Sequence, residues 1–263
     1  MKKDKRSNEV KTKRGGIWWP LDIDWKPTSI IDVVIPALNE EKSLPLVLRD
    51  IPTGIRRVVV ADNGSTDRTA QVAREEGAIV VSEEERGYGA ACLKALDYLA
   101  DDPPEIVVFL DGDYSDYPGE MMRLIAPIEA GDAEMVIGSR ILGESSRGAL
   151  LPQAVFGNRL AGGLMALMYD YQFTDLGPFR GITWEALSSL QMADRNFGWT
   201  VEMQIKAARR GISSVEVPVS YRKRVGKSKV TGTVKGTVLA SYKILYTLGA
   251  QYLEELLEQR QKR

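Results

Sequence analysis

Two aspartates that flank a glycine, Asp111 and Asp113, directly follow the apolar run IVVFL. Carboxylates at the end of a buried strand can hold a hard divalent cation and leave coordination positions open for the oxygens of a diphosphate. The same pattern also occurs as a turn in which an aspartate caps the following helix. Because further polar clusters follow other apolar runs of the chain, we expect a metal–diphosphate centre at this point.

The sequence contains no histidine. This removes the commonest general base and the commonest transition-metal ligand. Any base that the protein supplies is therefore an Asp, Glu, Lys, Tyr or Cys side chain. Any bound metal is held by oxygen ligands, which favours Mg²⁺ or Mn²⁺.

The composition is that of an ordinary globular protein, with 44% hydrophobic and 27% charged residues and a formal net charge of -1. Such a balance gives no indication of a nucleic-acid partner. The single cysteine, Cys92, excludes an internal disulfide and suits a reducing cytoplasm. Polar residues interrupt the two most apolar stretches, 149–171 and 232–253, and no apolar segment follows the basic N-terminus, so we expect neither a membrane-spanning helix nor a signal peptide.

The elements that must position these side chains alternate regularly from residue 30 onwards. Apolar runs predict strands at 31–35, 57–61, 78–81, 106–110 and 135–139, and the segments between them predict helices at 44–50, 67–76, 89–100 and 118–130. This alternation predicts an α/β fold with a mostly parallel central sheet and helices on both faces. Ligands of such sheets bind beyond the carboxyl ends of the strands, which is where the polar clusters of this sequence fall.

The pattern is looser beyond residue 140. It predicts helices at 153–169 and from Trp184 and Trp199, strands at 179–183 and 215–221, a basic loop at 222–229 and a last, amphipathic helix.

Two glycine-bearing turns precede predicted helices in the first half of the chain. The turn at 62–67 can cap its helix, and Gly87 and Gly89 allow the backbone to approach a ligand closely.

Several ordered motifs carry a resemblance to a known family. They are IDVVIPALNEE, VVVADNGSTDRT, GYGAACLKAL, VVFLDGDYSDYP, MVIGSR, TDLGPFR, GWTVEMQIKAARRG, VEVPVSYRKR and GKSK, and together they cover residues 30–230. In this order and spacing they resemble family 2 glycosyltransferases with the A-type fold, above all the polyprenyl-phosphate sugar synthases such as dolichyl-phosphate mannose synthase. The resemblance implies one glycosyltransferase A-type domain.

The resemblance also implies a role for each matching residue. Asp111 and Asp113 would hold the metal and the diphosphate, and Asp113, Asp175 and Glu202 are the candidate catalytic residues, the last two beside the acceptor. The candidate residues for binding the nucleotide sugar are Pro36, Leu38, Asn39, Glu40 and Asp62 around the base and ribose, then Gly87, Asp111 and Arg140, and Arg224, Ser228 and Lys229 in a loop that closes over phosphates.

The expected division of the chain combines these matches, which cover residues 30–230, with the composition of the segments on either side. Residues 1–14 form a disordered basic tail, 15–29 a tryptophan-rich arm, 30–140 the nucleotide-sugar-binding half of the domain, 141–230 its acceptor-side half, and 231–263 a C-terminal amphipathic helix. The tail and Trp18, Trp19 and Trp25 suit an anionic membrane surface, although an arm packed on the domain explains the tryptophans equally well. The oligomeric state stays open, a homo-oligomer included.

The expected reaction is inverting transfer of a sugar from a UDP- or GDP-sugar to an acceptor, with Mg²⁺ or Mn²⁺ as cofactor. A polyprenyl phosphate at the membrane surface is an anion already and needs no base. A soluble hydroxyl acceptor needs one, for which Asp175 and Glu202 are the candidates. Two further alternatives are a non-catalytic sugar-nucleotide-binding protein and a sugar nucleotidyltransferase, although the loop after the first strand is acidic here, whereas nucleotidyltransferases carry a basic, glycine-rich one.

The sequence departs from the family pattern at a few positions. The usual pair of aspartates is Asp62 followed by Asn63, and the usual Asp-x-Asp-Leu-Gln run ends in Tyr114 and Ser115. The membrane-spanning hairpins of many relatives are missing. These departures leave the choice between a lipid and a soluble acceptor open.

Overall fold

The structure is a computed structural model that describes residues 16–17, 27–150, 152–169, 171–226, 246 and 249. The predicted basic tail, the three tryptophans of the predicted arm, Ser228, Lys229 and almost all of the predicted C-terminal helix lie outside the described residues. Within the described part of the chain, no helix is long and apolar enough to cross a membrane.

The described strands are β1 (Gly16–Ile17), β2 (Ile31–Ala37), β3 (Arg57–Asp62), β4 (Ile79–Ser82), β5 (Ile106–Phe109), β6 (Met135–Ser139), β7 (Arg180–Thr183) and β8 (Ser214–Pro218). The described helices are α1 (Leu44–Arg49), α2 (Thr69–Glu75), α3 (Tyr88–Leu99), α4 (Met121–Glu129), α5 (Pro152–Tyr169), α6 (Trp184–Leu190) and α7 (Trp199–Arg210). A short 3₁₀ helix, Pro118–Glu120, leads into α4. The bounds agree with the predicted elements to within a few residues.

The eight described strands form one sheet in the order β1-β8-β6-β7-β5-β2-β3-β4. All neighbouring pairs are parallel except those of β7, which runs antiparallel to both β5 and β6. The predicted mostly parallel sheet is therefore confirmed. Strand β1, which no sequence pattern indicated, pairs in parallel with β8 through Gly16 and Ile17.

Apolar side chains of the strands alternate between two cores, one on each face of the sheet. One core joins β2, β3 and β5 to helices α3, α5, α6 and α7, and the other joins the opposite faces of these strands to α1, α2 and α4. Burial on both faces explains why the strands read as continuous apolar runs rather than alternating ones. The predicted covering of both faces by helices is confirmed.

The register places the predicted site residues side by side. Strand β2 lies between β3 and β5, with Ala37 opposite Asp62 and Val34 opposite Phe109. Since the three strands are parallel, the segments that follow them leave the sheet at the same edge. The residues after Ala37, after Asp62 and after Phe109 therefore meet there.

Candidate active site

A cleft with a volume of about 290 Å³ opens at this edge of the sheet. That is near the lower end of the range for small-molecule sites in proteins. Its walls include seven residues that the sequence singled out, namely Pro36, Leu38, Glu40, Gly87, Asp111, Asp113 and Arg224. Residues that the sequence did not single out also line it, among them Arg86, Tyr88, Asn196 and Phe197. Among the described residues, the predicted Asn39, Asp62, Arg140, Asp175 and Glu202 are not part of its lining.

Asp111 follows β5 directly, and its Oδ1 accepts a hydrogen bond from the Tyr88 hydroxyl at 3.1 Å. Burial and, after it, the neighbouring Asp113 carboxylate together raise the pKa of Asp111 to about 7. Burial and a nearby like charge both disfavour the ionised form of a carboxyl group, and a cation bound beside it would favour that form. This electrostatic state suits a cation between the two aspartates.

Asp113 is only 4% exposed and uses both carboxylate oxygens. Its Oδ1 accepts the N–H of Ser115 at 2.9 Å, which is the hydrogen bond of an Asx turn, and its Oδ2 lies 2.8 Å from Nη1 of Arg224. An Asx turn is thus present together with the acidic pair, but it does not cap the following helix, since neither Pro118–Glu120 nor α4 has a side-chain cap. No group of three or more His, Cys, Asp or Glu side chains suited to a metal occurs in the part of the chain that the structure describes. The neighbouring carboxylates of Asp111 and Asp113 are therefore the pair that this cleft offers a cation.

The start of the predicted basic loop is bound to the segment that carries Asp113. The N–H of Arg222 donates to the Ser115 carbonyl and the N–H of Val225 to the Asp113 carbonyl, each at 2.9 Å. The Arg222 guanidinium lies 3.3 Å from the ring centre of Tyr114 and 4.1 Å from that of Tyr117. These contacts bring Arg224 to Asp113 although 111 positions separate them in the chain.

The residues predicted to hold the base and ribose connect the turns after β2 and β3. The N–H of Asn39 donates to Ser65 Oγ at 2.9 Å, its Oδ1 accepts the N–H of Thr66 at 2.8 Å, and Asp62 Oδ1 accepts the N–H of Ser65 at 3.2 Å. Asp62 is 8% exposed, so it is buried at the strand end. Pro36, Leu38 and Glu40 line the cleft beside these turns.

Asp175 is fully buried and bound to Arg140 through three hydrogen bonds. Arg140 donates to it from Nε at 2.7 Å, from Nη2 at 2.6 Å and from its backbone N–H at 2.8 Å, and Asn158 Nδ2 adds a fourth bond at 2.7 Å. Burial acts to raise the pKa of Asp175, but the attraction and hydrogen bonds of Arg140 outweigh it and hold this pKa below its ordinary value. Asp175 is therefore a carboxylate that fixes an arginine.

Glu202 lies in the first turn of α7 and is 4% exposed. Its carboxylate accepts the N–H of Asp194 at 2.8 Å and that of Ala193 at 3.1 and 3.2 Å, and it lies 2.7 Å from Lys206 Nζ. The carboxylate thus faces the protein's own backbone and a lysine.

The two glycines at the start of α3, Gly87 and Gly89, lie against another segment of the same chain. A Cβ on Gly89 would lie 1.9 Å from the carbonyl oxygen of Asp194, and one on Gly87 would lie 1.9 Å from that of Arg195. The close approach that these glycines permit is therefore to another loop of the same chain. Gly87 also lines the cleft, so its predicted contact with a ligand stays a prediction.

Sequence reasoning missed some residues of the site for different reasons. Tyr88 lies between the two glycines that it did notice, but nothing local indicates the hydrogen bond to Asp111. Asn196 and Phe197 belong to no pattern in the sequence. Asp116, the third aspartate of the run DGDYSD, was a visible signal, and both oxygens of its buried carboxyl lack a hydrogen-bond partner among the residues that the structure describes. Burial raises the pKa of Asp116 well above its ordinary value.

Residues 32–178 match the family described as Glycosyl transferase family 2. An uncharacterized glycosyltransferase of Mycobacterium tuberculosis is 40% identical over 212 residues, which are 80% of this chain and 94% of that protein. The dolichyl-phosphate hexose transferase of Haloferax volcanii is 34% identical over 213 residues, covering 79% of this chain and 89% of that protein.

Solved structures show the same fold. Glucosyl-3-phosphoglycerate synthase from Mycobacterium tuberculosis, in complex with Mn²⁺ and UDP-glucose, superposes with a TM-score of 0.71 over 90% of this chain and 86% of that one. The sequences are 24% identical, so this likeness supports the fold alone.

Proposed function

The chain belongs to glycosyl transferase family 2, and we propose that it transfers a sugar with inversion from a UDP- or GDP-sugar to a polyprenyl phosphate. In this reaction a phosphate oxygen of the acceptor attacks the anomeric carbon. The bond from that carbon to the diphosphate breaks, and the nucleoside diphosphate leaves with the electron pair. The protein's task is to hold the two substrates in line and to stabilise the charge of the leaving group.

The donor half of the proposal rests on the cleft. It combines the apolar residues Pro36 and Leu38, which suit a base and ribose, with Asp111, Asp113 and Arg224. A nucleotide sugar has the same sequence of parts, an aromatic base at one end and a diphosphate towards the other. The relatives named above are sugar transferases, which agrees with a donor of this class.

The residues fit the divalent cation that such a donor requires. Asp111 and Asp113 would hold Mg²⁺ or Mn²⁺, because their carboxylates lie together in a partly closed cleft and burial with mutual repulsion raises the pKa of Asp111 to about 7. The ion would supply positive charge to the departing diphosphate. Arg224, which lies 2.8 Å from Asp113, is the protein's own cation at the same place.

The acceptor half of the proposal rests on Asp175 and Glu202, the two candidate bases, because both carboxylates already bind other groups of the protein. Asp175 forms an ion pair with Arg140 that lowers its pKa, and Glu202 is occupied by Lys206 and two backbone N–H groups. A hydroxyl acceptor needs a base to take its proton, whereas a phosphate does not. Arg140, oriented by Asp175, suits the recognition of a phosphate. The relative named dolichyl-phosphate hexose transferase supports the same acceptor class.

We further propose that the enzyme meets its lipid acceptor as a peripheral protein at the cytoplasmic face of a membrane. A polyprenyl phosphate keeps its phosphate at the membrane surface, so the cleft must come to that surface. The motivation is the sequence, in which residues 1–14 hold seven Lys or Arg against Asp4 and Glu9, followed by Trp18, Trp19 and Trp25.

A matrix of donors and acceptors tests the proposal. UDP- and GDP-hexoses are incubated with Mn²⁺ and with a polyprenyl phosphate, the corresponding polyprenol or soluble sugars, and products are identified by mass. We expect a hexosyl phosphate lipid from the polyprenyl phosphate alone, with the anomeric configuration opposite to that of the donor. A product with a soluble hydroxyl acceptor only would favour the alternative acceptor class. Donor binding without any product would favour a non-catalytic sugar-nucleotide-binding protein.

A further inference from the structure

One wall of the cleft is formed by the segment between α6 and α7 that we call the 193–197 loop, residues Ala193, Asp194, Arg195, Asn196 and Phe197. Asn196 and Phe197 face the same cavity as Asp111 and Asp113. Phe197 is 37% exposed, so a large apolar ring is open to whatever fills the cleft. The loop therefore contributes side chains to the site without belonging to the acidic centre.

The loop is fixed at its first two residues by α7. Both N–H groups at this end, those of Ala193 and Asp194, donate to the Glu202 carboxylate. Lys206 Nζ pairs with Glu202 at 2.7 Å and donates to the carbonyl of Gln191 at 2.7 Å, just before the loop. One ion pair of α7, between the buried Glu202 and the partly buried Lys206, thus determines where the loop begins.

The far end of the loop is fixed by α3. The N–H of Ala90 donates to the Arg195 carbonyl at 2.9 Å, and the N–H of Gly89 donates to the Asn196 carbonyl at 3.2 Å. These N–H groups are among those that the first turn of a helix leaves without an intrahelical acceptor. The loop can come this close only because positions 87 and 89 carry no side chain.

These anchors connect the loop to the reacting end of the donor. The residue between the two glycines, Tyr88, is hydrogen-bonded to Asp111. The loop therefore stands beside the carboxylate pair, where a sugar attached to the diphosphate must lie. An amide can both donate to and accept from sugar hydroxyl groups, and an aromatic ring can pack on the apolar face of a sugar.

We infer that Asn196 and Phe197 determine which donor sugar is used, and that Glu202 is a positioning residue that holds them in place. This inference rests on the proposed function. It gives Glu202 a role through the loop rather than as a base, because its carboxylate binds the loop's backbone N–H groups and Lys206. The two parts stand on different contacts and are tested separately.

The first experiment uses pairs of donors that carry the same nucleotide and differ only in the configuration of one sugar hydroxyl. The kcat/KM for nucleoside diphosphate release is measured for each donor. Phe197→Ala and Asn196→Ala should change the ratio between such donors by about tenfold or more, which is the effect of losing one specific contact to a substrate. Leu46→Ala is the matched control, because Leu46 is also 37% exposed and lies on α1 outside the cleft lining. Affinity for the free nucleoside diphosphate, measured by calorimetry, should stay unchanged in all three variants.

The outcomes separate the inference from the proposed function. Wild-type protein that turns over no nucleotide sugar rejects both. Wild-type turnover with the same donor ratio in Phe197→Ala and Asn196→Ala rejects the sugar-selecting role and leaves the proposed function intact. A loss of nucleoside diphosphate affinity in these variants would also reject it, since it would place the loop at the nucleotide.

Glu202 is tested with Glu202→Gln and Glu202→Ala. The glutamine keeps an oxygen that can accept the N–H of Asp194, so it should restore most of the donor ratio and activity that the alanine loses. Hydrogen exchange at the amides of Ala193 and Asp194 should be faster in the alanine variant than in the glutamine variant. Equal loss of kcat in both, with exchange at these amides unchanged, would identify Glu202 as a base and overturn its positioning role.

Discussion

Asp113 combines a local turn with a place in the acidic pair that we propose binds a metal. Its Oδ1 closes a local turn with Ser115, and its Oδ2 is directed at the positive charge of Arg224. A turn that uses one oxygen fixes the orientation of the other, so the turn prepares the carboxylate for a cation. The turn and the proposed metal site are therefore parts of one arrangement at the residue scale.

Glu216 leads to a prediction about pH. It is 1% exposed in β8, it accepts the N–H groups of Thr174 and Asp175, and burial raises its pKa to about 7. The folded state then keeps a proton that the unfolded state loses from its ordinary pKa of 4.5 upwards. Stability from this group should fall as the pH rises from about 4.5 to 7, and should change no further above 7.

Glu216→Gln isolates this contribution, because the amide keeps the shape and an accepting oxygen but does not titrate. The free energy of unfolding of the wild type, relative to Glu216→Gln, should decrease between pH 5 and 8 by up to about 3 kcal/mol, because a difference of one in pKa corresponds to about 1.4 kcal/mol. Urea unfolding at a series of pH values measures it. A constant or rising difference over this range would contradict the account.

At the scale of elements, the sequence predicted the strands and helices well because strands buried on both faces appear in it as continuous apolar runs. The bounds of β6, Met135–Ser139, were predicted without error, and those of β2 and α3 within two residues. The direction of β7 was not predicted, because a run of four residues carries no information about whether its neighbours run parallel. That direction depends on the length and path of the connections around it.

Contacts between distant segments were the main part of the site that sequence could not supply. The ion pair of Arg140 with Asp175 joins residues 35 positions apart, and the contact of the 193–197 loop with α3 joins segments more than 100 positions apart. No local periodicity encodes such pairs. The glycines at 87 and 89 were visible in the sequence, but the loop that packs against them was not.

The docking of that loop predicts an effect of Gly89→Ala. The new Cβ would lie 1.9 Å from the Asp194 carbonyl oxygen, so the loop must shift, and overpacking of this kind costs about 1–3 kcal/mol. We expect a lower thermal midpoint and lower transfer activity. Gly119→Ala is the control, because a Cβ there meets nothing within 4 Å and its midpoint should not fall. Equal midpoints for wild type and Gly89→Ala would show that the loop is not anchored as described.

At the scale of the whole molecule, an almost neutral chain carries a concentrated positive charge at one end. The formal net charge is -1, whereas seven of the first 14 residues are Lys or Arg. Each basic residue near an anionic membrane surface contributes about 1 kcal/mol of attraction, which salt screens. We predict that the full chain sediments with vesicles containing anionic lipid at low salt, and that high salt or a chain beginning at Thr28 releases it. Negligible binding of both chains would contradict the membrane proposal.

The sheet gathers the ends of three parallel strands at one edge, and the central claim is that sugar transfer occurs there, at Asp111 and Asp113. The most direct test is the initial rate of nucleoside diphosphate release from the preferred donor with saturating Mn²⁺. Asp113→Asn keeps the side chain's size and its turn oxygen but loses the charge, so the rate should fall by about 100-fold or more, as when a group that stabilises the leaving charge is removed. Asp97→Asn, at an exposed position of α3, should keep the wild-type rate. Near-normal turnover by a folded Asp113→Asn would contradict the account.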